Sequence, residues 1–112
     1  MEDCVFCKII KGEIPSKKIY EDDEIISFYD IAPIAKVHVL VIPKMHIESI
    51  KDLEENNKEL LFHLFQKINE VAKKVGVYES GFRVITNAGK DAGQAVPHLH
   101  FHILGGETLP TR

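Results

Sequence analysis

Hydrophobic and polar positions change period along the chain, and each change marks an element. Between residues 57 and 75, Leu61, Leu64, Phe65, Ile68, Val71, Ala72 and Val75 recur at i, i+3, i+4 and i+7 spacing, which predicts an amphipathic helix with one face in a core. Gly76 is its expected stop. A shorter helical run, Val5, Phe6, Ile9 and Ile10, precedes Gly12 and Pro15. Elsewhere the period is that of strands. Residues 18–21 read as a short strand, Asp22 and Asp23 as a turn, and residues 24–30 as the returning arm of a hairpin. After Pro33, the β-branched run of residues 37–42 suits a central strand. Pro43 ends it and leaves Lys44, Met45 and His46 in a loop. Residues 82–87 form another strand, and a flexible, glycine-bearing loop over 88–94 leads into residues 98–104. There polar and apolar side chains alternate strictly, and Gly105 and Gly106 close the run. No internal repeat, linker or low-complexity segment interrupts this order. The pattern predicts an α+β domain: a five-stranded antiparallel sheet with one short N-terminal helix and one long helix.

A length of 112 residues accommodates one domain, residues 1–112, with a real core. The net charge of −3, with no stripe of Lys and Arg, argues against a nucleic-acid partner. The longest apolar runs, such as residues 37–43, are too short to span a membrane. The opening residues Met1 to Cys7 lack the charged and apolar regions of a signal peptide, so a cytoplasmic location is expected. The two cysteines are then expected as thiols or metal ligands and not as a structural disulfide.

Candidate chemistry concentrates in the alternating stretch. On a strand, His98, His100 and His102 share one face while Leu99, Phe101 and Ile103 point into the core. Three titratable rings on one face suggest a cleft. The imidazoles could ligate a catalytic zinc with an open position. Alternatively, one is a nucleophile or general base that its neighbours orient. Surface histidines without a task are the bland alternative. The preceding loop favours a site: Gly89 and Gly93 let backbone N–H groups approach an anion, and Asn87 and Gln94 add side-chain amides. His38, at the start of a core strand, reads as a hydrogen-bonded structural residue. His63, off the apolar face of the long helix, reads as solvated, and the Lys and Glu residues of that helix read as a charged outer face with i,i+4 pairing.

The row from His98 to Leu104 resembles the signature of the histidine triad (HIT) family, His-φ-His-φ-His-φ-φ with φ apolar. Residues 6–15, 28–31, 39–46, 87–94 and the Gly105-Gly106 pair are similar to the Hint branch, the purine nucleoside phosphoramidases. The resemblance implies that His100 attacks the α-phosphorus, that the His98 carbonyl accepts from its other ring nitrogen, and that His102 donates to a phosphate oxygen. It implies Asn87, Gly93, Gln94 and Ala95 around the phosphate and Asp30 on the ribose hydroxyls. Val5, Phe6, Ile9, Phe28, Tyr29 and Ile31 match the walls of a purine pocket, with simple core as the alternative for each. The chain departs from the branch at Ala95, where a serine hydroxyl near the leaving group is usual. It departs again at Pro97, often aromatic in animal members, and over residues 107–112, which lack their aromatic tail.

Cys4 and Cys7 have the spacing of half a zinc site and of a redox dithiol. The redox reading wants a strand ahead of the motif, and none fits before Cys4. The resemblance points to His46 and His98 as the remaining ligands of a structural zinc, which would staple the N-terminal helix to the sheet and leave His100 free. The resemblance implies a homodimeric hydrolase of purine nucleoside 5′-phosphoramidates, working through a nucleotidyl-histidine and needing no metal for the chemistry. A dinucleoside polyphosphate hydrolase and a purine-nucleotide binding or sensing module with little catalysis are the alternatives.

Overall fold

A computed structural model describes residues 4–111. Met1, Glu2 and Asp3 of the leader reading and Arg112 of the tail lie outside the described residues. The chain builds α1 (Val5–Ile10), β1 (Lys18–Glu21), β2 (Ile25–Tyr29), β3 (Val37–Pro43), α2 (Lys58–Lys74), β4 (Phe82–Ile85) and β5 (Phe101–Gly105). The strands form one antiparallel sheet in the order β1-β2-β3-β5-β4. Short 3-10 turns at Ile50–Asp52, Glu55–Asn57 and Lys90–Ala92 were not foreseen from the sequence. None of the described helices is long and apolar enough to cross a membrane.

Alternation along β2 and β3 sends side chains to two separate cores. On one face Ile25, Val39, Val41, Leu99, Phe101 and Ile103 pack with Leu60, Leu64, Ile68, Val71 and Ala72 of α2. On the other, Ile26, Phe28, Leu40 and Ile42 meet Cys4, Phe6 and Cys7 of the N-terminal segment. With both faces covered, the two strands are almost wholly buried, which is why they read as apolar runs. The long helix closes on Gly76 at φ +80°: the Gly76 N–H donates to the Lys73 carbonyl and the Val77 N–H to that of Ala72. That pair of bonds satisfies orphan helix carbonyls and needs a residue free of left-handed strain. Of the expected apolar face, Phe65 is 47 % exposed and leans edge-on against Phe101, and Leu60 takes a buried place instead. The helix's ion pairs fall at i,i+3 (Lys67 with Glu70, and Glu55 before the helix with Lys58) in place of the expected i,i+4.

The histidine stretch corrects the expected strand over 98–104. Ladder pairing with β3 begins only at Phe101, opposite Val41. Upstream, the His98 N–H donates to the Val96 carbonyl at 2.8 Å and the Leu99 N–H to that of Ile47 at 2.6 Å. Those loop bonds divert the backbone from the ladder while preserving its two-faced alternation. β4 likewise stops at Ile85, two residues before its expected end. The Thr86 hydroxyl instead donates to the His100 carbonyl at 2.8 Å.

Candidate active site

The face that carries the histidines is the one covered by α1. Phe6 projects from that helix and presses edge-on against the rings of His98 and His100, with centroids 6.1 and 5.1 Å apart. His98 is fully buried, and His100 is 5 % exposed. The Nδ1–H of His100 donates to the carbonyl of His98 at 2.6 Å. A neutral ring so held carries its lone pair on Nε2, the arrangement a nucleophilic imidazole needs.

His102 is fixed by a second device, one the sequence reading missed. His38, expected only as a structural residue, is buried on the same face of β3 as Leu40. Its Nδ1 accepts the Ile34 N–H at 3.2 Å, so its ring proton sits on Nε2, which donates to His102 Nδ1 at 2.9 Å. His102 in turn has its own proton on Nε2, available as a donor. Burial, then the neighbouring charges of His100 and His38, push the His102 pKa down to about 4 against the pull of Asp30. Burial also lowers that of His38, again opposed by Asp30. The sequence shows only that His38 shares a face with Leu40, two residues on; it takes the strand register, in which Leu40 pairs with His102, to bring the two rings together.

Asp30 lies at the end of β2, its Oδ1 accepting the Ala32 N–H at 2.8 Å and its Oδ2 3.4 Å from His38 Nε2. Beside it opens a largely apolar cleft of about 290 Å³. All six expected pocket residues, Val5, Phe6, Ile9, Phe28, Tyr29 and Ile31, line it with Asp30. Phe6 and Phe28 form the floor, while Val5, Tyr29 and the 99 % exposed Ile31 stand at the rim. Ile14, Pro15, Ser16, Leu40 and Val96 complete the lining; sequence reading did not single them out as pocket residues.

The loop before the histidines differs from the open anion cradle expected. The Gly93 N–H donates to the Lys90 carbonyl at 3.0 Å, closing a 3-10 turn, and Gly93 itself adopts φ +79°. Gln94 is a staple: its Oε1 accepts from the Gly89 N–H at 2.8 Å, while its Nε2 donates to the carbonyls of Glu48 and Val96 at 2.6 and 3.0 Å. These donors are engaged within the fold, because a glycine loop left unbonded would not hold its shape. Ala95 is exposed and Asn87 half-buried.

Behind the histidines, four ligand atoms of Cys4, Cys7, His46 and His98 lie within 4.8 Å of one another. The thiols are unbridged and buried. His98 donates its Nε2–H to the Pro43 carbonyl at 2.8 Å, which leaves its Nδ1 bare and facing Cys4 at 3.4 Å and Cys7 at 3.6 Å. The Nδ1 of His46 is 3.2 Å from the Cys7 sulfur. Tetrahedral zinc with bonds of about 2.0–2.3 Å sets neighbouring ligand atoms about 3.5 Å apart, so the donor set fits. The Cys7 N–H donates to the Cys4 sulfur at 3.2 Å, and the Pro43 carbonyl orients His98 from outside. Burial, then the neighbouring Cys4 thiol, push Cys7 up to about 11; a bound cation reverses that balance. A second group, Asp30, His38 and His102, is also close-set, but the Ile34 N–H keeps the His38 proton where a metal would have to bind.

Comparison with known proteins places these features in a family. Residues 11–109 match the sequence profile of the HIT domain. An uncharacterized HIT-like protein of Helicobacter pylori is 53 % identical over 92 % of this chain and 96 % of its own. Protein HitA of Neisseria gonorrhoeae is 44 % identical, covering 94 % of this chain and 97 % of its own. Among solved structures, a HIT family hydrolase from Clostridium thermocellum superposes with a TM-score of 0.96 at 49 % identity, over 100 % of this chain and 97 % of that one. A histidine triad protein from Clostridium difficile gives 0.95 at 48 % identity, with the same coverage of both chains. With its histidine row, its cleft and these relatives, the chain belongs to the HIT-domain family.

Proposed function

We propose that the protein is a Hint-like hydrolase of purine nucleoside 5′-phosphoramidates. The carrying observation is the 2.6 Å bond from His100 Nδ1 to the His98 carbonyl, which leaves the Nε2 lone pair free for attack. In this mechanism Nε2 attacks the α-phosphorus and the P–N bond of the substrate breaks. The amine departs with one proton taken from solvent. Water then attacks the phosphorus, the bond to Nε2 opens, and the mononucleotide leaves as the proton is returned to solvent. Neutral His102 donates its Nε2–H to a phosphate oxygen as charge develops there. Asp30 accepts from the ribose hydroxyls, and the apolar cleft holds the purine. Asn87 and Ala95 flank the phosphate, with Gly93 and Gln94 shaping the loop around it.

Zinc on Cys4, Cys7, His46 and His98 is part of the proposal as a structural staple, supplying no step of the reaction. Unbridged thiols agree with a reducing, cytoplasmic setting. Phe62, 67 % exposed, and Phe65 three residues on give α2 an apolar surface that supports a homodimer.

The test is hydrolysis of an adenosine 5′-phosphoramidate by wild type and by His100→Ala, with folding and nucleotide binding checked for both. Turnover by wild type and a loss of about 10³-fold or more in the variant, with binding retained, is the expected result. Binding without turnover in either protein would leave a nucleotide-binding module, the reading that the missing hydroxyl at Ala95 favours.

A further inference from the structure

His38 has one ring proton, a hydrogen-bond acceptor that takes it and a carboxylate oxygen close enough to pull on it. Its Nδ1 is occupied as an acceptor by the Ile34 N–H, so the proton is confined to Nε2. From there His102 Nδ1 lies 2.9 Å away and Asp30 Oδ2 3.4 Å away. The two claims compete. A carboxylate that draws on the N–H weakens its bond to His102, and a carboxylate otherwise engaged releases it. Asp30 Oδ1 already accepts from the Ala32 N–H, which leaves Oδ2 as the less occupied oxygen, on the His38 side.

Resting on the reading of Asp30 as the ribose acceptor, we infer that ribose recognition is wired to the phosphate subsite through His38. When a vicinal diol donates to Asp30, its carboxylate becomes a poorer acceptor for the His38 N–H, and that N–H turns to His102. The stronger bond holds His102 Nδ1 as an acceptor and keeps its Nε2–H aimed at the phosphate. No proton changes owner; only the sharing of one N–H shifts. His38 is thus a positioning residue, buried and acting through His102, and Asp30 has a second role beyond grip. A nucleotide lacking the diol should lose turnover as well as affinity, whereas an isolated ribose grip would alter KM alone.

The experiment compares adenosine and 2′-deoxyadenosine 5′-phosphoramidates on wild type, His38→Gln and His38→Ala. In wild type the deoxy substrate should lower kcat by about fivefold to tenfold, the scale of one hydrogen bond, besides raising KM. In His38→Ala the kcat ratio should fall to near one while the KM penalty persists, and His38→Gln, which keeps a donor, should restore part of overall turnover. A kcat indifferent to the diol in wild type, or a ratio unchanged in His38→Ala, overturns the wiring and leaves the hydrolase reading standing. A second measurement needs neither turnover nor a variant that folds. In wild type labelled at its histidines, the His38 Nε2–H resonance should move downfield with adenosine 5′-monophosphate and less than half as far with the 2′-deoxy nucleotide. That movement without any turnover would remove the hydrolase reading and keep the wiring. A resonance unmoved by both nucleotides overturns the wiring.

Discussion

His63 on α2 and Asp22 in the β1–β2 turn meet ring nitrogen to carboxylate oxygen at 2.7 Å. The same oxygen accepts the Tyr20 hydroxyl at 2.6 Å, and the other takes the N–H groups of Glu24 and Ile25, both at 2.8 Å. One carboxylate thereby ties the long helix to the hairpin and shapes the turn between its strands. Burial opposes its ionisation, but the Tyr20 hydroxyl, the two N–H groups and the His63 ring outweigh it and hold Asp22 well below the usual carboxylate range.

Asp22→Ala is expected to cost about 2–3 kcal/mol, since it strips four donors of their acceptor. Because the folded-state pKa is depressed, this contribution is present above about pH 4, the unfolded value, and is lost as pH falls through the folded one. Urea denaturation of both proteins from pH 7 to pH 2 checks the sign. The two stabilities should converge in acid; a gap that stays constant would show that the charge has no part in it.

His102 and His38 give a second pH dependence, in a different window. Burial lowers both pKa values, that of His102 to about 4, whereas in the unfolded chain each is about 6.5. Over that interval the unfolded state binds more protons, so stability is full above about pH 6.5 and falls as pH drops toward 4. Discounted for the partial exposure of its ring, the His102 share is on the order of 2 kcal/mol. Thermal melts of wild type and His102→Asn between pH 7.5 and 4.5 should show a shallower slope for the variant.

Metal content is the third test. Protein purified without added zinc should hold close to one ion per chain, and a strong chelator should lower the melting temperature by several degrees. Cys4→Ser should release most of the metal. A metal content below a trace per chain would remove the site.

Gly105, at the end of β5, leaves no room for a side chain: a Cβ there would stand 2.9 Å from Cγ1 and 3.0 Å from Cβ of the fully buried Val77. Gly105→Ala should destabilise by about 1–3 kcal/mol through overpacking. Combining it with Val77→Ala should cost less than the two single changes added together, a coupling that denaturation midpoints of the four proteins can measure.

Much of the architecture was legible because it is written in local periods. The alternation of Leu99, Phe101 and Ile103 and the helical spacing of Leu64, Ile68 and Val71 each predicted the face that is buried. The placement of His100, the cleft walls and the cysteine-histidine cluster came from residues standing in a recognisable order. What escaped depends on partners distant in sequence. His63 lies off the apolar stripe as expected, yet it is half-buried and paired, because Asp22 reaches it from 41 positions away. His38 needs the β3–β5 register before its link to His102 can be seen. Gln94 was read as a donor to substrate because the Glu48 carbonyl that takes one of its amide protons lies 46 positions away.

The acceptor that fixes the tautomer of His100 is a peptide oxygen. Every amino acid that could stand at position 98 brings the same carbonyl, so this tautomer has no side-chain address. A substitution at 98 keeps that carbonyl and touches the His100 tautomer only through the loss of the ring's hold on the chain. The tautomer lasts only while the path of the chain is kept. That path is held by loop bonds to Val96 and Ile47 and by the anchoring of the His98 ring on Pro43. The state of the His100 ring is inherited as a contour of the backbone, and its vulnerable points are the anchors that hold that contour.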